Sequence, residues 1–338
     1  MFRFLACWNE IRAGRNRPED GSFRALIVGR HRFMKLHQLR DVVAVAERGS
    51  LRAASRHLGI AQPSLTRSIS ELERELGVAL FHRQARGVAL TTAGRLFLRR
   101  AASITREMER AKEELDQFNG TEQGKVVACL SAVPHIALLP HALRPFAARY
   151  PGVHLHLIEG VYPPTEPALL DGSIDFYVGP APEGALAPGL SRELLFDNRI
   201  VVLARHGHPL AQARSLQDLV GAAWISTSYT HSTAAELGVL FSSHGLPQPR
   251  FAMRTQSAFS LLMALTSTDF LAMAPLQWTE VGLFRRGIIR LQLNEPLQAS
   301  PIVLIQRTGL PLTPAAQHFA DLLRRGHRAP PQDADARA

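Results

Sequence analysis

Between residues 50 and 94 two short segments of helical apolar spacing meet at a tight break. A basic loop and a new helix start follow. Upstream, Leu36, Leu39, Val42, Val43 and Ala46 recur at helical spacing and predict a first helix ending near Gly49. Ser50 is placed to cap the next helix, whose buried side holds Ala53, Ala54 and Leu58. Gly59 suits the left-handed residue that closes it, and Ile60 fills the angle between helices. Pro63 fits the first turn of a third helix, where its missing N–H costs nothing. Leu65, Ile69, Leu72 and Leu76 then point inward.

The opposite face of that third helix carries Gln62, Ser64, Thr66, Arg67 and Ser70. These are short hydrogen-bonding groups plus one guanidinium, able to reach base edges and phosphates together. Gln62 and Ser64 also lie at the helix start, where backbone N–H groups favour a phosphate. Residues 80–81 and 88–90 read as two short strands, and the loop between them holds His82, Arg83, Arg86 and Gly87. A basic wing there would straddle a backbone or enter a minor groove; a solvated hairpin is the plainer alternative. The order is that of a winged helix-turn-helix.

Thr91 can cap a long helix running to about Asn119. Phe97, Ala101, Ile104, Met108, Ala111, Leu115 and Phe118 alternate by four and three along it, a coiled-coil seam about 42 Å long. Pairing through this seam would place two heads over two half-sites. The alternative is a helix lying on its own domain.

The pattern changes near residues 120–124. Apolar runs at 126–130, 153–159 and 175–179 alternate with helices at 135–150 and from Pro163–Pro164 to Asp171. Further strands are predicted at 200–204, 223–226, 251–253, 270–274, 288–293 and 302–306. Helices are expected at 257–265 and from Thr313 to Leu323. This implies an α/β body of two lobes, each with a mostly parallel sheet. One lobe is expected to comprise residues 124–161 and 267–325, and the other 162–266. Small molecules bind such sheets beyond the C-terminal strand ends. Ser131, Ala132 and Val133 stand at one such point, Ser226, Thr227 and Ser228 at a second, and Thr255 and Ser257 at a third. Their hydroxyls and free backbone donors suit a small anion, although ordinary capping explains any one of them. Phe176, Tyr177, Phe251 and Phe259 could form an apolar wall.

Charge sharpens the division. Residues 1–35 carry 8 Lys and Arg against 3 Asp and Glu, residues 36–119 carry 14 against 10, and the remaining 219 carry 17 against 16. A basic head on a neutral body fits a polyanionic partner for the head alone. Two cysteines, Cys7 and Cys129, are too few for a disulfide framework or a metal cluster. No run of 18 apolar residues is present, and the N-terminus lacks the apolar core of an export signal, so a cytoplasmic protein with no membrane partner is expected. Residues 1–33 show no sustained period. They read either as a disordered arm adding non-specific DNA affinity or as sequence upstream of a true start at Met34. Residues from 326, and above all 330–338, read as a disordered tail. His206 and His208 are two apart in a turn without a third ligand, and no nucleotide or nucleophile fingerprint occurs, so neither metal nor catalytic residues are assigned.

LRAASRHLGIAQPSLTRSISELERELGVALFHRQARGVALTTAG resembles the head of LysR-type transcriptional regulators almost throughout. The likeness extends more loosely over residues 34–325, through LLP at 138–140, YPGV at 150–153 and HPL at 208–210. It implies a winged head (34–92), a pairing linker helix (91–119) and two regulatory lobes resembling type 2 periplasmic-binding proteins, hinged around a coinducer cleft. It further implies dimers and tetramers on interrupted inverted repeats of double-stranded DNA near a promoter, with RNA polymerase as a further contact. Gln62, Pro63, Ser64, Thr66, Arg67 and Ser70 fall in the recognition-helix pattern, Arg83 and Arg86 in the wing, and Ser131 at a common effector contact. SAVPHIA supplies only that one hydroxyl near its helix start, and the first 33 residues depart from the family pattern. A solute-binding protein, or an architectural DNA binder with a non-functional cleft, would share parts of this chain. A coinducer is expected, and no cofactor.

Overall fold

The computed structural model describes residues 34–84, 87–120, 123–227, 232–279, 287–297 and 299–326. The expectations for residues 1–33 and for the tail beyond Gly326 lie outside them. The chain divides into two compact units, residues 1–98 and 99–338.

In the first unit, helices α1 (Leu36–Arg48), α2 (Leu51–Leu58) and α3 (Gln62–Leu76) precede a hairpin of β1 (Phe81–Gln84) and β2 (Gly87–Leu90). Each helix ends on a glycine of positive φ: Gly49, Gly59 and Gly77. Ser50 caps α2 by accepting from Ala53 N–H at 3.1 Å. Leu39, Val42, Val45, Ala54, Leu65, Ile69, Leu72 and Leu80 are buried, all but Leu39 in one cluster. Leu76 does not join them; α3 has left the core by its last turn, and this side chain is exposed. Leu36 is exposed for the same reason at the start of α1. Ser68 Oγ donates to the buried Asp41 at 2.5 Å and so ties α3 to α1.

The wing is fixed by backbone. Glu73 accepts from the N–H groups of Leu80 and Phe81, at 2.7 and 3.0 Å. Val88 N–H donates to Gly49 O at 3.0 Å. Gly87 makes that approach possible: a Cβ there would stand 2.4 Å from Gly49 O. Thr91 then caps α4 (Thr92–Phe118), accepting from Gly94 N–H at 2.9 Å.

The second unit holds two five-stranded sheets. The first has the order β4-β3-β5-β12-β6, from β3 (Gln123–Leu130), β4 (Gly152–Glu159), β5 (Phe176–Pro180), β6 (Leu190–Phe196) and β12 (Ile302–Arg307). The second has the order β11-β7-β10-β8-β9, from β7 (Ile200–Arg205), β8 (Ala223–Thr227), β9 (Arg250–Thr255), β10 (Phe270–Pro275) and β11 (Ile288–Arg290). Both are mixed rather than mostly parallel. β12 runs antiparallel to β5 and β6, and β7 antiparallel to β10 and β11.

The lobe boundaries differ from those expected. β5 and β6 belong to the first sheet, although they fall in 162–266. β10 and β11 belong to the second, although they fall in 267–325. Long-range antiparallel pairing with β12 draws β5 and β6 back, and pairing with β7 and β8 holds β10. The helix expected at 135–150 is two, α5 (Ala132–Ala137) and α6 (Leu139–Arg149), broken at Leu138, because Pro140 has no N–H to continue the ladder to Ile136 and sits instead in the first turn of α6. Helices α7 (Glu166–Leu170), α8 (Ser232–Ser243), α9 (Ala258–Ser267) and α10 (Pro314–Gly326) complete the layers. Phe146, Phe176 and Phe319 pack in the core between the first sheet and helices α6 and α10.

Candidate functional sites

The packing of α3 leaves Gln62, Pro63, Ser64, Arg67 and Ser70 exposed and Thr66 half-buried, while Leu65, Ser68, Ile69 and Leu72 face inward. The Arg67 side chain is 81% exposed, with only a loose 3.7 Å pairing to Glu71 on its own helix. Thr66 Oγ1 donates to Gln62 O at 3.0 Å, which fixes its rotamer. Ala61 precedes the helix without a side-chain cap; Pro63 has no N–H and Ser64 N–H donates to Ala61 O at 3.0 Å, so the anion-binding capacity of this turn rests on Gln62 N–H and the side chains. Arg83 lies on β1 opposite Val88. Arg86 lies outside the described residues.

Along α4, Ile104, Met108, Ala111, Leu115 and Phe118 form an exposed stripe, with Phe118 84% exposed. The expected seam loses its first two members: Phe97 packs on the head core, and Ala101 is buried. The stripe begins at Ile104, two turns later than the spacing implies.

In the body, Ser131 and Ser226 sit at the C-terminal ends of the parallel strands β3 and β8. Both are buried, and their Oγ atoms have no hydrogen-bond partner among the described residues. A buried hydroxyl without a partner costs stability and calls for an explanation. Ala132 and Ile136 of α5 pack against the core of the second sheet, in the cluster that includes Ile225 and Trp278, so α5 bridges the lobes directly after Ser131. Val133 is instead buried in the core of the first lobe. The chain turns inward there, and Val133 is withdrawn from any ligand surface.

Thr255 and Ser257 have local work. Thr255 Oγ1 accepts from Ser257 N–H at 3.1 Å, and Ser257 Oγ accepts from Ser260 N–H at 3.2 Å to cap α9. Of the second expected point, Thr227 ends β8 and Ser228 lies outside the described residues. Phe176 and Tyr177 are fully buried in cores on either side of the first sheet and form no wall. Phe251 packs on the second core, and Phe259 is exposed on α9.

The pair His206 and His208 resolves structurally. His208 is buried; its Nδ1 accepts from Leu210 N–H at 2.9 Å, so its Nε2 carries the proton and donates to Asp269 O at 3.1 Å. Both nitrogens are occupied. Among the described residues no group of three metal-ligating side chains occurs. No helix among them is long and apolar enough to cross a membrane.

Sequence signals missed two groups. Gly94 hid as a routine helix residue. Arg106 and Arg110 drew no expectation and Asp175 was read only as the start of a strand, yet Arg110 and Asp175 pair at 2.6 Å with both side chains largely buried.

Comparison with known proteins agrees with this organisation. Residues 36–95 match the bacterial regulatory helix-turn-helix model of the lysR family, and residues 119–328 match the LysR substrate binding domain. The SDS degradation transcriptional activation protein of Pseudomonas sp. (strain ATCC 19151) is 31% identical over 306 residues, covering 88% of this chain and 99% of the relative. The RuBisCO operon transcriptional regulator of Allochromatium vinosum is 27% identical, with 86% and 95% covered. Among solved structures, CbnR, a LysR family transcriptional regulator, superposes with a TM-score of 0.60 at 24% identity, covering 87% of this chain and all of that one. CbnR complexed with its target DNA gives 0.62 at 23% identity, covering 86% and 99%. With both domains matched in sequence, the chain belongs to the LysR family and is a LysR-type transcriptional regulator.

Proposed function

We propose that α3 enters the major groove of an operator, with Gln62, Pro63, Ser64, Thr66, Arg67 and Ser70 toward bases and phosphates. The wing, with Arg83 and Arg86, lies on the adjacent backbone or minor groove. The single observation that carries this is the division of α3 into a buried apolar face and an exposed face of short polar groups around Arg67. The test is selection from a random duplex pool with the full-length chain. A discrete interrupted inverted repeat should emerge, and uniform retention of all sequences would leave only an architectural binder.

Two copies pair through the Ile104, Met108, Leu115 and Phe118 stripe, and dimers join into tetramers on the repeat, in the cytoplasm and within reach of RNA polymerase. A carboxylate at Ile104 would be desolvated without a partner in that seam. Ile104→Asp should raise the dimer dissociation constant by about a hundredfold. Sedimentation velocity showing an unchanged dimer would refute the seam.

A small anionic metabolite acts as coinducer at the lobe junction, taking hydrogen bonds from Ser131 and Ser226. Their unpartnered hydroxyls support this reading. Ser131→Ala removes a group that contributes no hydrogen bond to the fold, so stability should change by less than about 1 kcal/mol. A thermal-shift screen of small organic acids on the parent should find a stabilising compound, and the Ser131→Ala chain should lose most of that shift. A full shift retained in the variant would remove Ser131 from the site.

A further inference from the structure

Helix α4 meets the first lobe through charged and amide side chains. Arg106 Nε donates to Asp171 O at 3.0 Å, and its Nη2 stands 3.0 Å from Asp171 Oδ1. One turn on, Arg110 Nη2 donates to Gly172 O at 2.7 Å and to Asp175 Oδ1 at 2.6 Å. Glu107 faces Arg307 at 3.3 Å. Gln117 accepts from Ala315 N–H at 3.0 Å and donates to Gln123 O at 3.2 Å. These partners are the start of β3, the turn before β5, the end of β12 and the start of α10. All lie at the end of the first sheet opposite to Ser131, because β3 and β5 run parallel.

Asp175 is the center of the contact. It is buried, its Oδ2 accepts from Val127 N–H at 2.7 Å, and its own N–H donates to Val127 O at 2.8 Å. Burial pushes its carboxyl pKa up, and the Arg110 guanidinium opposes that. A buried carboxylate so placed depends on its cation. From Asp175, β5 runs about 10 Å to Val178, whose carbonyl accepts from Ser131 N–H at 2.9 Å. One strand therefore holds the linker helix at one end and the backbone of Ser131 at the other.

We propose that Arg110 and Asp175 are positioning residues, a latch that fixes the linker helix to β5 so that a shift of β5 at its Ser131 end changes how the helix leaves the lobe. The trigger rests on the coinducer reading of Ser131; the latch does not. The outer pair Arg106–Asp171 is about 30% exposed on each side and open to salt, whereas Arg110–Asp175 is shielded. The inner pair is the anchor.

The test uses the full-length chain with Arg110→Gln, Asp175→Asn, Arg110→Lys and, as a control, Arg205→Gln, which breaks an ion pair of the second lobe with Asp269. Asp175→Asn keeps an oxygen for Val127 N–H and so preserves the sheet. Hydrogen exchange across residues 103–117 should quicken about tenfold in Arg110→Gln and Asp175→Asn, return most of the way in Arg110→Lys, and stay at the parent rate in Arg205→Gln. The bend of a duplex from the operator selection, read by energy transfer between end dyes, should change in the first two variants only. Exchange within twofold of the parent in both latch variants would overturn the latch. So would equal quickening in all four, which reports general softening. An unchanged bend beside a freed helix would overturn the coupling. Failure of the Ser131 reading would leave these exchange rates untouched, since no coinducer enters the measurement.

Discussion

Gly94→Ala is expected to destabilise the DNA-binding head by about 3 kcal/mol, the upper range for a side chain forced into filled space. Helix propensity alone predicts the opposite sign, a gain of about 1 kcal/mol for alanine over glycine inside a helix. The collision decides. A Cβ at Gly94 would stand 2.0 Å from the carbonyl oxygen of Leu80 and 2.9 Å from its carbon. That carbonyl cannot move aside freely, because it accepts from Thr91 N–H at 2.9 Å. Leu80 itself is fully buried, and its N–H is held by Glu73. Relief therefore requires α4 to lift from the wing, which breaks the Thr91 N–H bond to Leu80 O and the Thr91 Oγ1 bond to Ala79 O as well. Hydrogen exchange on the full-length chain should show faster opening of residues 36–98 with the regulatory lobes unchanged. A variant head as stable as the parent would mean that the helix start shifts without cost.

How much of this was legible in the sequence depended on whether the deciding interaction was local. Ser50, Gly59, Pro63 and Thr91 act on residues a few positions away, and the structure places the elements where those residues put them. Leu76 was misread because period alone cannot say where a helix outruns its core. The lobes were misdivided because β12 reaches β5 from more than 100 residues away, and nothing in either segment names the other. β6 escaped notice because SRELLF lacks strand alternation; it is an edge strand with exposed Arg192, Glu193 and Leu194. Val133 was assigned to a ligand surface because sequence marks a strand end without giving the direction of each side chain beyond it. Arg110 and Asp175 are 65 positions apart and ordinary in composition, so their pairing could come only from the fold. Topology placed Ser131 at a strand end, and only the fold shows that its hydroxyl is buried without a partner among the described residues.

Arg67→Ala should weaken operator binding by about ten- to a hundredfold for each head engaged, about 1–3 kcal/mol per head if the guanidinium reads a base edge. Little of that loss should come from folding. Arg67 is exposed, and its pairing with Glu71 at 3.7 Å is a surface contact of small worth. The size of the effect follows from position. Arg67 follows Leu65, which is buried at the centre of the head core, so the backbone beneath it is fixed while the side chain remains free to extend. Base reading and phosphate binding separate in two measurements. Loss of a base contact relaxes preference at one position of the half-site and leaves the salt slope nearly unchanged. Loss of a phosphate contact weakens all sequences alike and lowers the slope by about one. Titrating parent and variant against the selected repeat and its single-base changes, at several salt concentrations, distinguishes them. Equal affinity of variant and parent for every duplex would place Arg67 outside the interface and with it the whole exposed face of α3.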